Sequence, residues 1–78
     1  MINSKITSCF VEALGISEGQ VTESLKYNSI PQWDSVGHMT LIAGLEEQFD
    51  VMFDTDDILD MSTPLRAQEI LAKYDVAL

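Results

Sequence analysis

Residues 33–49 have the sequence WDSVGHMTLIAGLEEQF, and this stretch decides how the chain folds. It places Ser35, preceded by Asp34, at the predicted start of an amphipathic helix whose far end is acidic. The first turn of a helix leaves backbone N–H groups without acceptors, and these donors, together with the positive end of the helix dipole, favour an anion. We therefore predict that Ser35 is exposed to solvent, in a position that suits a serine carrying a phosphodiester.

Hydrophobic periodicity along the chain predicts an all-α protein, a small four-helix bundle of three longer helices and one short helix. Ser4 is the expected cap of the first helix, and Gly15 is its expected stop. Thr63 followed by Pro64 is a typical helix start, with the threonine as cap and the proline as the first helical residue. The predicted helices cover Ser4–Leu14, Ser35–Phe49, Asp56–Asp60 and a last segment that begins at Pro64.

A long loop is predicted between the first and second helices, from Ile16 to Asp34. It contains turn-prone residues such as Gly19, Asn28 and Pro31. A loop of this length in a small domain needs apolar anchors that pack onto the helices. The expected anchors are Val21, Leu25, Tyr27, Ile30 and Trp33.

The second helix is predicted to bury one stripe and to expose other apolar residues beside acids. Gly44 is expected to allow close packing of another helix, whereas the sequence gives no reason for Gly37. The predicted core stripe consists of Leu41, Ile42, Leu45 and Phe49.

The composition is that of one small acidic domain. Of the 78 residues, 46% are hydrophobic, enough for a single core, and 13 acidic against 4 basic residues give a net charge of −9. That charge argues against a nucleic-acid-binding protein and predicts basic protein partners. The single cysteine, Cys9, lies on the apolar side of the first helix and is expected in the core. No segment has the features of a signal peptide or a membrane span, so we expect a cytoplasmic protein.

The acidic residues are unevenly distributed. No Lys or Arg lies between Tyr27 and Leu65, whereas eight acidic residues do. Repulsion among them destabilises the fold, so we expect this surface to serve binding.

Residues 33–49 resemble the signature of the acyl carrier protein family, which has Asp-Ser-Leu at the start of the second helix and Leu-Glu-Glu-x-Phe at its end. The corresponding segments here are Asp34-Ser35-Val36 and Leu45-Glu46-Glu47-Gln48-Phe49. Leu14-Gly15-Ile16 and Val21-Thr22 also follow the family's spacing, so the resemblance covers nearly the whole chain.

The resemblance implies that residues 1–78 form one acyl-carrier-like domain that is a carrier and not an enzyme. Ser35 would carry 4′-phosphopantetheine, attached from coenzyme A by a phosphopantetheinyl transferase, with Asp34 and Val36 as the flanking motif. The thiol of this arm would hold acyl or aminoacyl groups as thioesters for loading and processing enzymes with basic surfaces. No catalytic residue, metal ligand or membrane contact is implied, and a monomer is expected. The implied partner-binding residues are Val36, Met39, Glu46, Glu47, Asp56 and Asp57.

The chain departs from the family pattern around the serine. The family often has glycine two residues before the aspartate, whereas this chain has Gln32 and Trp33 before Asp34. Gly37 and Thr40 replace the acidic residues that the family often has in the first turns of the second helix. We therefore expect a carrier dedicated to a pathway other than fatty-acid synthesis, such as that of a polyketide or another secondary metabolite. Two roles are open for Trp33: it shields the attachment site or contacts the cargo, or it anchors the loop.

Other interpretations of the same residues lead to different sites. Ser35 alone is compatible with a plain helix cap. A catalytic triad of Asp34, Ser35 and His38 would need a sheltered cleft and an oxyanion hole, so His38 is expected instead at the surface near the prosthetic group.

The acids that follow Asp54 fail the calcium-loop pattern, because position 6 is Leu59 instead of glycine. The alternative function is an unmodified acidic helical adaptor that docks through Val36, Met39 and Ala43.

Overall fold

The structure is a computed structural model that describes residues 1–78. It contains four α-helices, one turn of 3₁₀ helix at Glu18–Gln20 and no strand, which confirms the predicted fold class. The second helix has the predicted bounds, and the third begins one residue earlier than predicted. The helices are α1 (Ser4–Leu14), α2 (Ser35–Phe49), α3 (Thr55–Asp60) and α4 (Pro64–Lys73).

The start of α1 corrects one prediction, because its cap is Asn3 and not Ser4. Asn3 has extended backbone angles, and its side chain accepts a hydrogen bond from the Lys5 N–H at 2.9 Å. The Asn3 N–H donates to Gln68 Oε1 on α4 at 2.7 Å, which ties the beginning of the chain to the last helix. At the other end of α1, Gly15 is left-handed, with a φ of 66°, and stops the helix as predicted.

The core lies where α1 packs against α2 and α4. Of the predicted α2 stripe, Leu41, Ile42 and Leu45 are buried, and Phe49 is half-buried. Cys9 is buried as predicted, and burial, together with the negative charge of Glu12, raises the pKa of its thiol. The largest fully buried side chains are Trp33, Phe10, Ile6, Leu41, Leu45, Met61, Ile70, Leu71 and Pro64.

The long loop is anchored much as predicted. Val21, Leu25 and Trp33 are buried, whereas Tyr27 keeps 40% of its surface exposed. The Tyr27 N–H donates to the Ser62 carbonyl at 2.8 Å, which joins the loop to the connection between α3 and α4. Trp33 is completely buried and packs edge-on against the ring of Phe10, so it anchors the loop in the core.

The prediction that Gly44 allows close packing of another helix is wrong, because a Cβ atom at this position would meet nothing within 4 Å.

None of the helices combines the length and the apolar character needed to cross a membrane.

Candidate functional site

The start of α2 is capped by Asp34, which leaves Ser35 free. The Asp34 carboxylate accepts a hydrogen bond from the Gly37 N–H at 2.8 Å, and its backbone carbonyl accepts from the His38 N–H. Ser35 is the first residue of the helix and is exposed, as predicted. Because the Asp34 side chain already caps the helix, the serine hydroxyl is not needed as a cap.

The N–H groups of Ser35 and Val36, at the same end of α2, are unpaired. Gly37 and His38 have acceptors, but the first two N–H groups of the helix have none within it. These donors and the helix dipole create a positive local field next to the Ser35 hydroxyl. The arrangement favours a negatively charged group on or beside this serine.

The structure explains why residue 37 is glycine, which the sequence alone did not. A Cβ atom built on this residue would lie 2.2 Å from the carbonyl oxygen of Gln32 and 3.2 Å from a methyl carbon of Leu14. The loop therefore approaches the first turn of α2 so closely that only glycine fits.

The prediction that His38 lies at the surface is wrong, because its side chain is buried. Its Nδ1 atom accepts a hydrogen bond from Trp33 Nε1 at 2.9 Å, and its Nε2 atom lies 2.8 Å from the carbonyl oxygen of Ile58. One sequence signal was available: with Leu41, Ile42 and Leu45, His38 forms the spacing i, i+3, i+4, i+7 of a buried helix stripe.

These contacts leave no catalytic triad. Both ring nitrogens of His38 are engaged by Trp33 and Ile58, and the Asp34 carboxylate is engaged by the Gly37 N–H. Because a triad uses the histidine as its base, and His38 has both nitrogens engaged, His38 is not placed to take the proton of the Ser35 hydroxyl.

A mostly apolar cleft of about 270 Å³ opens beside Ser35, between α2, α3 and the loop. We refer to it as the serine cleft. Its lining residues are Tyr27, Ser35, His38, Met39, Ile58, Leu59, Met61 and Ser62.

The outer surface of α2 and α3 combines apolar and acidic side chains. Val36 and Leu59 expose 74% and 78% of their surface, and Met39 is also exposed. Glu47 on α2 and Asp56 on α3 are exposed and make no ion pair with a residue of the chain.

Two further acids of the predicted partner surface are held by the protein itself. Glu46 is half-buried, and its carboxylate accepts a hydrogen bond from the Phe53 N–H at 3.0 Å. Asp57 accepts hydrogen bonds from Lys73 Nζ and from the Tyr74 hydroxyl, each at 2.6 Å. The bond from Lys73, followed by that from Tyr74, lowers the pKa of Asp57, and the same contact raises the pKa of Tyr74.

The sequence of this helical protein with an exposed serine is similar to that of a known protein. The chain is 37% identical over 62 residues to a protein named acyl carrier protein from Thermotoga maritima. The match covers 80% of this chain and 76% of the relative. The chain belongs to the acyl carrier protein family. No protein-family profile and no solved structure matches it.

Family membership confirms the resemblance drawn from the two segments of α2, and it assigns the chain a general acyl-carrier role. In this member of the family, the structure brings Ser35, Val36 and Met39 to one end of α2 beside α3. Glu46 and Glu47 lie on the last turns of the same helix, away from the serine.

Proposed function

We propose that this chain is an acyl carrier protein whose Ser35 is the attachment point for 4′-phosphopantetheine. The observation that carries the proposal is the division of roles at the start of α2: Asp34 caps the helix, and Ser35, the next residue, is exposed. When bound, the arm supplies a thiol that holds acyl or aminoacyl groups as thioesters.

The residues present fit this group. A phosphodiester on Ser35 Oγ would lie next to the unpaired N–H groups of Ser35 and Val36, at the positive end of the α2 dipole. The serine cleft opens from the same point, so a chain attached there has an apolar surface beside it.

In the attachment reaction the chain supplies only the nucleophile. The Oγ–P bond of Ser35 forms while the pyrophosphate bond of coenzyme A breaks, and adenosine 3′,5′-bisphosphate leaves. Because both ring nitrogens of His38 are engaged by Trp33 and Ile58, we propose that a base of the transferase takes the hydroxyl proton. Afterwards the carrier tethers its cargo and thereby raises the effective concentration of that cargo at each partner enzyme.

The partners are a phosphopantetheinyl transferase and the enzymes that load and process the cargo. We propose that they present basic residues to the acidic surface of α2 and α3 and apolar residues to the exposed side chains near Ser35. The carrier would act as a monomer in the cytoplasm, where coenzyme A is available. The proposed partner-binding residues are Val36, Met39, Glu46, Glu47, Asp56 and Asp57.

We further propose that the pathway is not fatty-acid synthesis. Acyl carriers of that pathway are expected to show acids in the first turns of α2, but this chain has Gly37 and Thr40 there. Glycine is required at position 37 because the carbonyl oxygen of Gln32 leaves no room for a Cβ atom. This departure from the family pattern is therefore part of the structure around Ser35 and is not a neutral change.

The mass of the intact protein after incubation with coenzyme A and a broad-specificity phosphopantetheinyl transferase tests the proposal. The wild type is expected to gain one phosphopantetheine, and Ser35→Ala none. Ser62→Ala is the matched control, because Ser62 lines the same cleft and should leave modification intact. No gain by the wild type would favour an unmodified acidic adaptor.

A further inference from the structure

The side chain of His38 is fixed in one chemical form by its two partners. Trp33 Nε1 carries a hydrogen and can only donate, so His38 Nδ1 must present its lone pair. The Ile58 carbonyl oxygen can only accept, so Nε2 must carry the ring hydrogen and donate it. The buried imidazole is therefore the neutral Nε2–H tautomer.

None of the side chains of α3 is fully buried, although Ile58 packs against the core, and polar contacts help to hold the helix in place. Two of these contacts reach α4: Asp57 with Lys73 and Tyr74, and Asp60 with Arg66. The third is the hydrogen bond from His38 to Ile58, the one hydrogen bond that joins α3 to α2.

The serine cleft lies between the two helices that this bond joins. Ser35, His38 and Met39 line it from α2, and Ile58 and Leu59 line it from α3. Without the bond, α3 would stay attached to α4 but would lose its hydrogen bond to the serine end of α2.

We propose that His38 is a positioning residue that, as the neutral Nε2–H tautomer, holds α3 against the serine end of α2. Loss of this bond by substitution of His38 loosens α3 and widens the serine cleft. This role of His38 belongs to the unmodified protein and does not depend on whether Ser35 carries a prosthetic group.

The Trp33 partner requires the neutral form of His38. A second ring proton would sit on Nδ1 and face the Trp33 Nε1–H, placing two donors against each other. The hydrogen bond from Trp33 therefore orients the ring so that Nε2–H points at the Ile58 carbonyl oxygen.

The other titratable groups around His38 have contacts of their own or are exposed to solvent. The Tyr27 ring packs edge-on at 5.2 Å between centroids, and on the α2 side the Asp34 carboxylate is bonded to the Gly37 N–H. On α3, Asp57 and Asp60 are bonded to α4 through Lys73, Tyr74 and Arg66, and Asp56 is exposed.

The attachment of α3 to α4 does not involve His38. The hydrogen bonds from Lys73 and Tyr74 lower the pKa of Asp57, so its carboxylate stays ionised at neutral pH. In a protein without the His38 bond we therefore expect the α2 side of α3 to loosen while the α4 side holds.

Amide hydrogen exchange of ¹⁵N-labelled, unmodified protein at pH 7 tests this inference. In His38→Leu, the protection of residues 58–60 should be roughly fivefold lower than in the wild type, which corresponds to one lost hydrogen bond, with α1 and α4 unchanged. His38→Gln supplies an acceptor for Trp33 and a donor for Ile58, so it should keep the protection of the wild type.

Ring ¹⁵N shifts of His38 give a second readout that does not depend on any variant. They should report the Nε2–H tautomer at pH 7. A mixture of tautomers, or protection of residues 58–60 that is equal in His38→Leu and the wild type, would overturn the inference. A His38→Gln protein that loses protection as His38→Leu does would also overturn it.

Discussion

A Cβ atom on Gly37 would lie 2.2 Å from the carbonyl oxygen of Gln32, far inside van der Waals contact. The end of the loop therefore lies directly against the first turn of α2, next to the exposed Ser35. The loop cannot retreat easily, because Trp33 immediately after Gln32 is completely buried.

Gly37→Ala should therefore destabilise the protein, although alanine is the better helix former. We expect a loss of about 1–3 kcal/mol, typical of overpacking, in the free energy of unfolding measured by urea denaturation. Gly44→Ala is the matched control, since a Cβ there meets nothing within 4 Å. It should stabilise the protein by up to about 1 kcal/mol through helix propensity. Equal effects of the two substitutions would contradict the Gln32 contact.

Replacing Trp33 with Phe should weaken the fold by removing the donor to His38. The His38 Nδ1 atom would be left buried without a partner, at a cost of about 1–3 kcal/mol before any loss of packing. Tyr27→Phe serves as the control: Tyr27 packs against the same two rings, and 40% of its surface is exposed. Its removal of a hydroxyl should change unfolding, followed by circular dichroism, by no more than about 0.5 kcal/mol. A Trp33→Phe protein as stable as the wild type would argue against the hydrogen bond.

Asp57→Asn should lower stability at pH 7, because the amide cannot pair with Lys73 as the carboxylate does. The pKa of Asp57 is lower in the folded protein than its ordinary value of 3.8. Its ionised form therefore stabilises the fold above that value, and the contribution is lost as the pH falls through the folded-state pKa.

Thermal unfolding at a series of pH values measures this effect. The difference between wild type and Asp57→Asn should be constant from pH 7 to about pH 5 and should shrink below about pH 4. Asp56→Asn removes the same charge from an exposed neighbour and should show no such loss. A difference that persists unchanged at low pH would show that Asp57 acts through shape and not through charge.

Charge reversal on α2 should impair the proposed modification of Ser35. Glu47→Lys places a positive charge on the acidic surface, so it should raise the KM of the phosphopantetheinyl transferase several-fold, less so at high salt. Glu12→Lys on α1 changes the net charge equally and is also exposed, but it lies on a different helix. If both variants raise the KM alike, the net charge of the protein decides binding and the α2 surface does not.

The helices were predictable because their signals are local. Gly15, Thr63 and Pro64 stop or start a helix through their own backbone or side chain, and the structure uses all three as predicted. The exposure of Ser35 is similarly local, since it follows from being the first residue of α2.

The missed features depend on contacts between distant segments. Burial of His38 could be inferred from its spacing to Leu41 and Ile42, but its bond to Ile58 joins residues 20 positions apart. The role of Gly37 depends on the path of the loop at Gln32, and periodicity says nothing about that path.

The engagement of Asp57 is a third feature of this kind. It depends on how α3 meets the end of α4, where Lys73 and Tyr74 are 16 and 17 residues further along the chain. From the sequence, Asp57 is one acid among several in an acidic segment.

Tandem mass spectrometry of the protein after reaction with coenzyme A and the transferase tests the central claim most directly. Because no Lys or Arg lies between Tyr27 and Leu65, trypsin should release residues 27–66 as one peptide that contains Ser29, Ser35 and Ser62. We predict that fragmentation places the phosphopantetheine on Ser35 alone. A modification on Ser29 or Ser62, or an unmodified peptide, would contradict the account.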